Sequence, residues 1–193
     1  MTALTSAERT CLLRLAREAI GEFLGSGGSP VVDESQITAR LREPHACFVT
    51  LTSQGDLRGC IGNLEPREPL FRSVIHNACG AAFRDSRFEP VAVYEISRLE
   101  VEISVLSPAN PLNHRSPEDL LRQLRPNEDG VVLRLAGKSA TFLPQVWGKI
   151  PDAARFMDEL ARKARLPDSA WRSPDAVVLT YQVESFADVR CAG

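Results

Sequence analysis

A chain of 193 residues, 44% hydrophobic and 25% charged, is long enough to bury a sizeable core without covalent staples. Its net charge of −2 excludes a global field that would draw it to nucleic acid or to an acidic membrane. The five cysteines (Cys11, Cys47, Cys60, Cys79 and Cys191) are widely spaced with no CxxC pair, which argues against a disulfide framework or a zinc site of the usual spacing.

The opening residues, Met1 to Ser6, carry neither a basic lead nor a long apolar run. No stretch reaches membrane-spanning length, so the expected setting is a reducing cytoplasm with no membrane partner. Ser6 is placed to cap a helix to about Leu24, with Leu12, Ala16, Ala19, Ile20 and Phe23 as its apolar stripe. The run Gly25 to Pro30 stops it as a flexible connection and has neither dinucleotide nor P-loop spacing.

Cys47 to Thr52 predicts a strand, Ser53 to Asp56 a turn, and Leu57 the start of the return strand. A helix is predicted over Arg67 to Phe83, with Pro69 in its first turn and Leu70, Val74, Ile75, Ala78 and Ala82 on one side. Ala78, Gly80, Ala81 and Ala82 make its C-terminal half slim, a sign of close packing. Asp85 then sits on the unfavourable side of the helix dipole and needs a partner, with Arg84 and Arg87 nearest in sequence.

Leu99, Val101, Ile103 and Val105 alternate with Glu100, Glu102 and Ser104 as a half-buried strand. Ser116 and Pro117 open a short helix to about Leu124. Val131–Leu135 and Ser139–Leu143 form a second hairpin around Ala136, Gly137 and Lys138. Asp152 caps the last helix, which turns Phe156, Met157, Leu160, Ala161 and Ala164 inward, and Ala176 to Val183 is a closing strand. Hairpins without regular strand–helix–strand alternation predict an α+β fold, mainly antiparallel strands with flanking helices. Hairpin followed by helix occurs in both halves, which hints at an internal duplication.

Leu57-Arg58-Gly59-Cys60-Ile61-Gly62 is the chemically richest stretch. In a regular strand Leu57 and Ile61 face the core, while Arg58 and Cys60 share the other face. A cation beside a thiol favours the thiolate, and Gly59 and Gly62 let a ligand or another backbone approach. The structural reading of the same residues is a small buried cysteine between two packing glycines.

Phe48 to Gly62, FVTLTSQGDLRGCIG, resembles the signature of the AMMECR domain family. The resemblance continues through Asn77-Ala78, through Ala81-Ala82-Phe83 with Asp85, Arg87, Phe88 and Pro90, and through Glu102 to Ser107. It extends to Leu143-Pro144-Gln145-Val146 and to Lys163-Ala164 with Leu166 and Trp171, covering about residues 9 to 188. Relatives often carry a histidine where this chain has Asp129, so no role of that histidine transfers; His76 and His114 stand elsewhere and are read as ordinary.

The resemblance implies one α+β domain over residues 1–193, with two lobes around a cleft and the six-residue signature near it. It implies no known reaction and leaves the cofactor unknown. The bacterial and archaeal relatives are called AmmeMemoRadiSam system protein A, which associates them with Memo-like proteins (similar to non-haem iron dioxygenases) and radical SAM proteins as pathway partners. The expected site joins Cys60, Asp85 and Glu102 as candidate catalytic groups with Arg58, Gly59, Gly62 and Arg87 as ligand-binding groups. Cys60 would be the nucleophile or ligand-contacting thiol, an arginine would hold an anion, and a carboxylate would orient it or move a proton. The competing reading is an ion-pair network, Asp85 with Arg87 and Glu102 with Arg58. An enzyme, a binding module acting on a small-molecule or macromolecular substrate, and an adaptor all remain open. RNA binding lacks interleaved aromatic and basic residues, and a metal at Cys47, Cys60 and Cys79 requires the fold to gather them.

Overall fold

The computed structural model describes residues 3–188, so Cys191 lies outside the described residues. The helices are α1 (Ser6–Ser26), α2 (Leu70–Phe83), α3 (Pro117–Gln123) and α4 (Ala153–Lys163). The strands are β1 (Cys47–Ser53), β2 (Asp56–Gly62), β3 (Leu99–Leu106), β4 (Asn110–Pro111), β5 (Gly130–Leu135), β6 (Lys138–Phe142), β7 (Val177–Tyr181) and β8 (Val183–Ala187). Two compact units result, one from residues up to Leu106 together with those from Glu184 on, the other from Ser107–Val183. No helix among the described residues is long and apolar enough to cross a membrane.

The first unit carries a four-stranded sheet in the order β2-β1-β3-β8, with β1 antiparallel to both β2 and β3. Alternation does the expected work: Cys47, Val49 and Leu51 are buried against α1 and α2, while Phe48, Thr50 and Thr52 are half-buried on the opposite face. Thr5, not Ser6, caps α1. Its Oγ1 accepts from the Glu8 backbone N–H at 3.2 Å while the Glu8 carboxylate accepts from the Thr5 N–H at 2.9 Å. This reciprocal pair needs a carboxylate three residues on, which Ser6 lacks. The helix ends at Gly27, whose φ of 71° is left-handed and whose N–H closes on the Phe23 carbonyl.

Gln54 and Gly55 make the β1–β2 turn with φ of 55° and 87°, the double positive φ of a tight hairpin. The slimness of α2 is explained at β2. A Cβ at Gly59 would lie 2.1 Å from the Ala81 carbonyl oxygen, and one at Gly80 would lie 2.9 Å from Ile61 Cγ2.

The second unit has a sheet in the order β4-β7-β5-β6. Its core stacks Trp147 on Phe156 at 3.7 Å between ring centres, with Trp171, Leu120, Leu133 and Leu160 around them. Ser116 caps α3 and Asp152 caps α4, as predicted. The predicted closing strand divides in two: β7 ends at Tyr181 in this sheet, and after Gln182 the chain continues as β8 in the first sheet. There the Glu184 carboxylate accepts from the Leu4 N–H at 3.0 Å and pairs with Arg9, while Asp188 pairs with Arg17 and accepts from the Val101 N–H. No residue-type signal at Gln182 announces this change of sheet.

The two units repeat one topology. In each, a hairpin is followed by a helix and then by a strand that pairs with the hairpin's first arm: β1, β2, α2, β3 and β5, β6, α4, β7.

Candidate functional site

The register of β2 departs from a regular strand at one point. Thr50 pairs with Cys60 and Leu51 with Gly59, but Thr52 pairs with Leu57, so Arg58 is the extra residue of a β-bulge. The bulge reverses the alternation beyond it. Leu57, expected in the core, joins the Thr52 face and is 44% exposed. Ile61 stays on the inner face, as expected, together with Gly59.

As an edge strand, β2 presents unpaired backbone groups. At Cys60 both are covered by side chains. The Asp85 carboxylate accepts from the Cys60 N–H at 2.9 Å, and Arg87 Nη2 donates to the Cys60 carbonyl at 3.4 Å. Asp85 and Arg87 are themselves joined by donors at 2.9 and 2.6 Å, so the ion pair stands in for one rung of a neighbouring strand. The Arg87 guanidinium holds the buried Asp85 carboxyl well below the usual carboxylate range, against the opposing effect of burial. The Asp85 carboxylate, so held, fixes the backbone of Cys60.

Arg58 has a different partner from the one expected. Its Nε and Nη2 bond the Glu95 carboxylate at 2.7 and 3.1 Å, and Nη1 donates to the Glu89 carbonyl at 2.9 Å. Glu95 also accepts from the Ala92 N–H at 2.8 Å, which folds the segment Val93–Arg98 into a 3₁₀ turn. This pair keeps Glu95 below its ordinary value. The guanidinium is therefore spent on the 89–95 segment. The cation next to Cys60 is that of Arg87, whose side chain is 55% exposed.

Three side chains line up across the open face. Because the Cys60 backbone points outward, Cys60 and Thr50 form a pair of the closely spaced kind, and the Thr50 hydroxyl donates to Cys60 Sγ at 3.4 Å. Thr50 in turn pairs with Glu102 on β3. Thiol, hydroxyl and carboxylate thus occupy one row, with the Cα atoms of Cys60 and Glu102 about 10 Å apart by strand spacing. Ser104, in the next row, donates to Glu102 at 3.5 Å and bonds Ser185 at 2.8 Å. Cys60 and Glu102 are both half-buried.

The fold therefore brings Cys60, Asp85, Arg87 and Glu102 to one edge and face, and takes Arg58 out of the row. The pairing of Glu102 with Arg58 does not form. Gly59 and Gly62 do not leave room for a ligand through their missing side chains: the Ala81 carbonyl fills the first space, and the Phe48 ring, 2.3 Å from a Cβ at Gly62, fills the second. Among the described residues Cys47, Cys60 and Cys79 are not gathered into a metal-ligating group. Cys79 points to the Ala19 carbonyl, and Cys47 lies against Asn77, where burial pushes its thiol up to about 11. Asp129 is buried and accepts from the Arg125 N–H, Nε and Nη2 at 2.9, 3.2 and 2.6 Å. Sequence reasoning missed Thr50 and Glu95. The register of Thr50 with Cys60 is set by the bulge, and its register with Glu102 by the regular pairing of β1 with β3.

A family model described as AMMECR1 matches residues 13–186. A Methanopyrus kandleri protein, MK0488, is 35% identical over 96% of this chain and 90% of its own length. A Methanothermobacter thermautotrophicus protein is 37% identical over 95% of each chain. The crystal structure of the Pyrococcus horikoshii protein PH0010 superposes with a TM-score of 0.81 at 34% identity, covering 92% of this chain and 89% of the other.

Proposed function

The chain belongs to the AMMECR1 family, and from that footing we propose that the open face around Cys60 is its ligand-binding or catalytic surface. The reading is carried by one observation: thiol, hydroxyl and carboxylate share a row on a half-exposed face, with the Cys60 backbone fixed at both ends by Asp85 and Arg87. In this reading Arg87 holds an anionic group of the ligand, since a guanidinium matches carboxylate or phosphate. Thr50 stabilises charge on the thiol as a donor, Glu102 accepts a proton or a cationic group at the far end, and Cys60 contacts the ligand. The substrate is a small molecule or a group on a macromolecule, handled in a pathway shared with Memo-like and radical SAM proteins.

The test is thiol reactivity against pH, with labelled sites mapped by mass spectrometry. Cys60 should label ahead of the buried Cys47 and Cys79, and Arg87→Gln should slow it by several-fold while Arg58→Gln leaves it unchanged. An inert Cys60 in the native fold, or equal effects of both arginine variants, would remove the thiol from the reading. A second, adaptor reading is favoured by Val93 and Tyr94, 70% and 77% exposed on a segment held rigid by Arg58 and Glu95. If Tyr94→Ser abolishes partner capture while Cys60→Ser does not, that reading prevails.

A further inference from the structure

His114 lies in the second unit and lines two adjoining cavities. One, of about 580 Å³, is walled by Asn113, Arg115, Ser116, Asp119, Arg122 and Gln123. The other, of about 210 Å³, is walled by Pro111, Leu112, Pro174, Ala176, Val177 and Val178. They form where β4 stops: after Pro111 the chain makes one more bond to β7, from the Leu112 N–H to the Val178 carbonyl at 2.9 Å, and then peels away. The start of β7 is left flanking a notch, with Val177 48% exposed at its side.

The ring of His114 is fixed in this notch. Nδ1 lies 2.9 Å from the Leu112 carbonyl. A carbonyl only accepts, so Nδ1 carries a proton and the neutral ring presents Nε2 as a lone pair. Among the described residues Nε2 has no partner, nor has the guanidinium of Arg115. The wall of the larger cavity is rich in donors: two guanidinium groups, the Asn113 and Gln123 amides, and the Ser116 hydroxyl. Its one carboxylate, Asp119, already accepts from the Arg115 N–H at 3.0 Å, from Gln123 Nε2 at 3.2 Å and from Arg122 at 3.4 Å. Arg122 and Gln123 are engaged by Asp119 and the Ser116 hydroxyl by Glu118, which leaves the Arg115 guanidinium and the Asn113 amide as the unmatched donors of this wall. With the apolar notch beside them they select a molecule with an anionic head and an apolar body. The volumes suit a small ligand.

From this juxtaposition we infer that the two cavities form one binding site for a small amphiphilic anion, a phosphate monoester on an apolar body. Arg115 and Arg122 bind the anionic oxygens of the head, the P–OH of the monoester monoanion donates to the His114 Nε2 lone pair, and the body lies on Val177 and Pro174. Nothing in this site involves Cys60, so its fate is separate from that of the sheet face.

The test follows the His114 imidazole resonances, identified by their loss in His114→Gln, while phenyl phosphate or inorganic phosphate is titrated into the full chain. Phenyl phosphate should shift them saturably, with inorganic phosphate about tenfold weaker. Arg115→Ala should weaken both ligands about tenfold, the loss of one charged contact. Val177→Ser should weaken phenyl phosphate alone. Both changed side chains are at the surface, so the fold survives them. Absence of a saturable His114 shift with phenyl phosphate at millimolar concentrations would overturn the proposal. So would isotherms for Arg115→Ala identical to wild type, or equal affinity for the two phosphates.

Discussion

Gly59→Ala separates a packing glycine from a ligand-admitting one. The added Cβ would sit 2.1 Å from the Ala81 carbonyl oxygen and 3.0 Å from its carbon, against an ordinary contact distance of at least 3.4 Å. Both are backbone atoms of a helix, so no rotamer relieves the clash and α2 has to back away from β2 by about an ångström. That withdrawal loosens Val74, Ala78 and Ala82, which α2 buries in the first core. Overpacking of this kind costs about 1–3 kcal/mol, while alanine in place of glycine in a strand returns about 0.5–1 kcal/mol. A backbone contact of 2.1 Å puts the cost in the upper part of the overpacking range, about 2–3 kcal/mol, so the net expectation is a loss of about 1–2.5 kcal/mol, or a melting temperature lower by about 2–10 °C for a chain of this size. Both tryptophans, Trp147 and Trp171, belong to the second unit, so their fluorescence is the wrong probe. Urea titration read by amide hydrogen exchange in α2 reports on the right one. Gly80→Ala is the milder comparison: its Cβ meets side-chain rather than backbone atoms, Ile61 Cγ2 at 2.9 Å and Cβ at 3.3 Å, and helix propensity favours the change. If Gly59→Ala keeps the wild-type urea midpoint and exchange pattern, the close-packing account is wrong and the glycine serves something other than α2.

Two further outcomes follow from the clamp and the turn. Asp85 has its native carboxyl lowered by Arg87, so its stabilisation is fully present above the unfolded value of about 3.9 and is lost as pH falls toward the lower native value. Asp85→Asn should therefore cost about 1–3 kcal/mol at neutral pH and progressively less below about pH 4, as urea midpoints at pH 7 and in acid would show; an equal gap at both refutes the assignment. Ala136 occupies the β5–β6 turn with φ of 50°, beside Gly137 at 74°. Ala136→Asn should stabilise by about 0.5–1 kcal/mol, because asparagine tolerates the left-handed region that alanine does not; an unchanged or lower urea midpoint would count against it.

What the sequence made legible was local. The capped helices at Ser116 and Asp152, the two tight hairpins and the alternation of β3 rest on neighbours a few residues apart, and all stand in the structure. Asp85 with Arg87 was visible for the same reason, as an ill-placed carboxylate two residues from a cation. Arg58 with Glu95 was not, since 37 residues intervene and Glu95 lies in a segment without periodicity. The single extra residue at Arg58 also sent Leu57 to the wrong side, because a bulge shifts every side chain beyond it. The row of Cys60, Thr50 and Glu102 depends on register across three strands, which residue types alone do not specify.

The route of the chain sets an order of events during synthesis. β8 adjoins β3 in the first sheet, yet all of residues 107–182 lie between the two. Every strand of the second unit leaves the ribosome before the first sheet receives its last member. Until β8 arrives, β3 is an open edge, and Arg9, Arg17 and the Leu4 N–H wait for the carboxylates of Glu184 and Asp188. α1 can pack on α2 and β1 before then, but its ion pairs to β8 cannot form, and premature termination anywhere in the second unit leaves the earlier one unclosed.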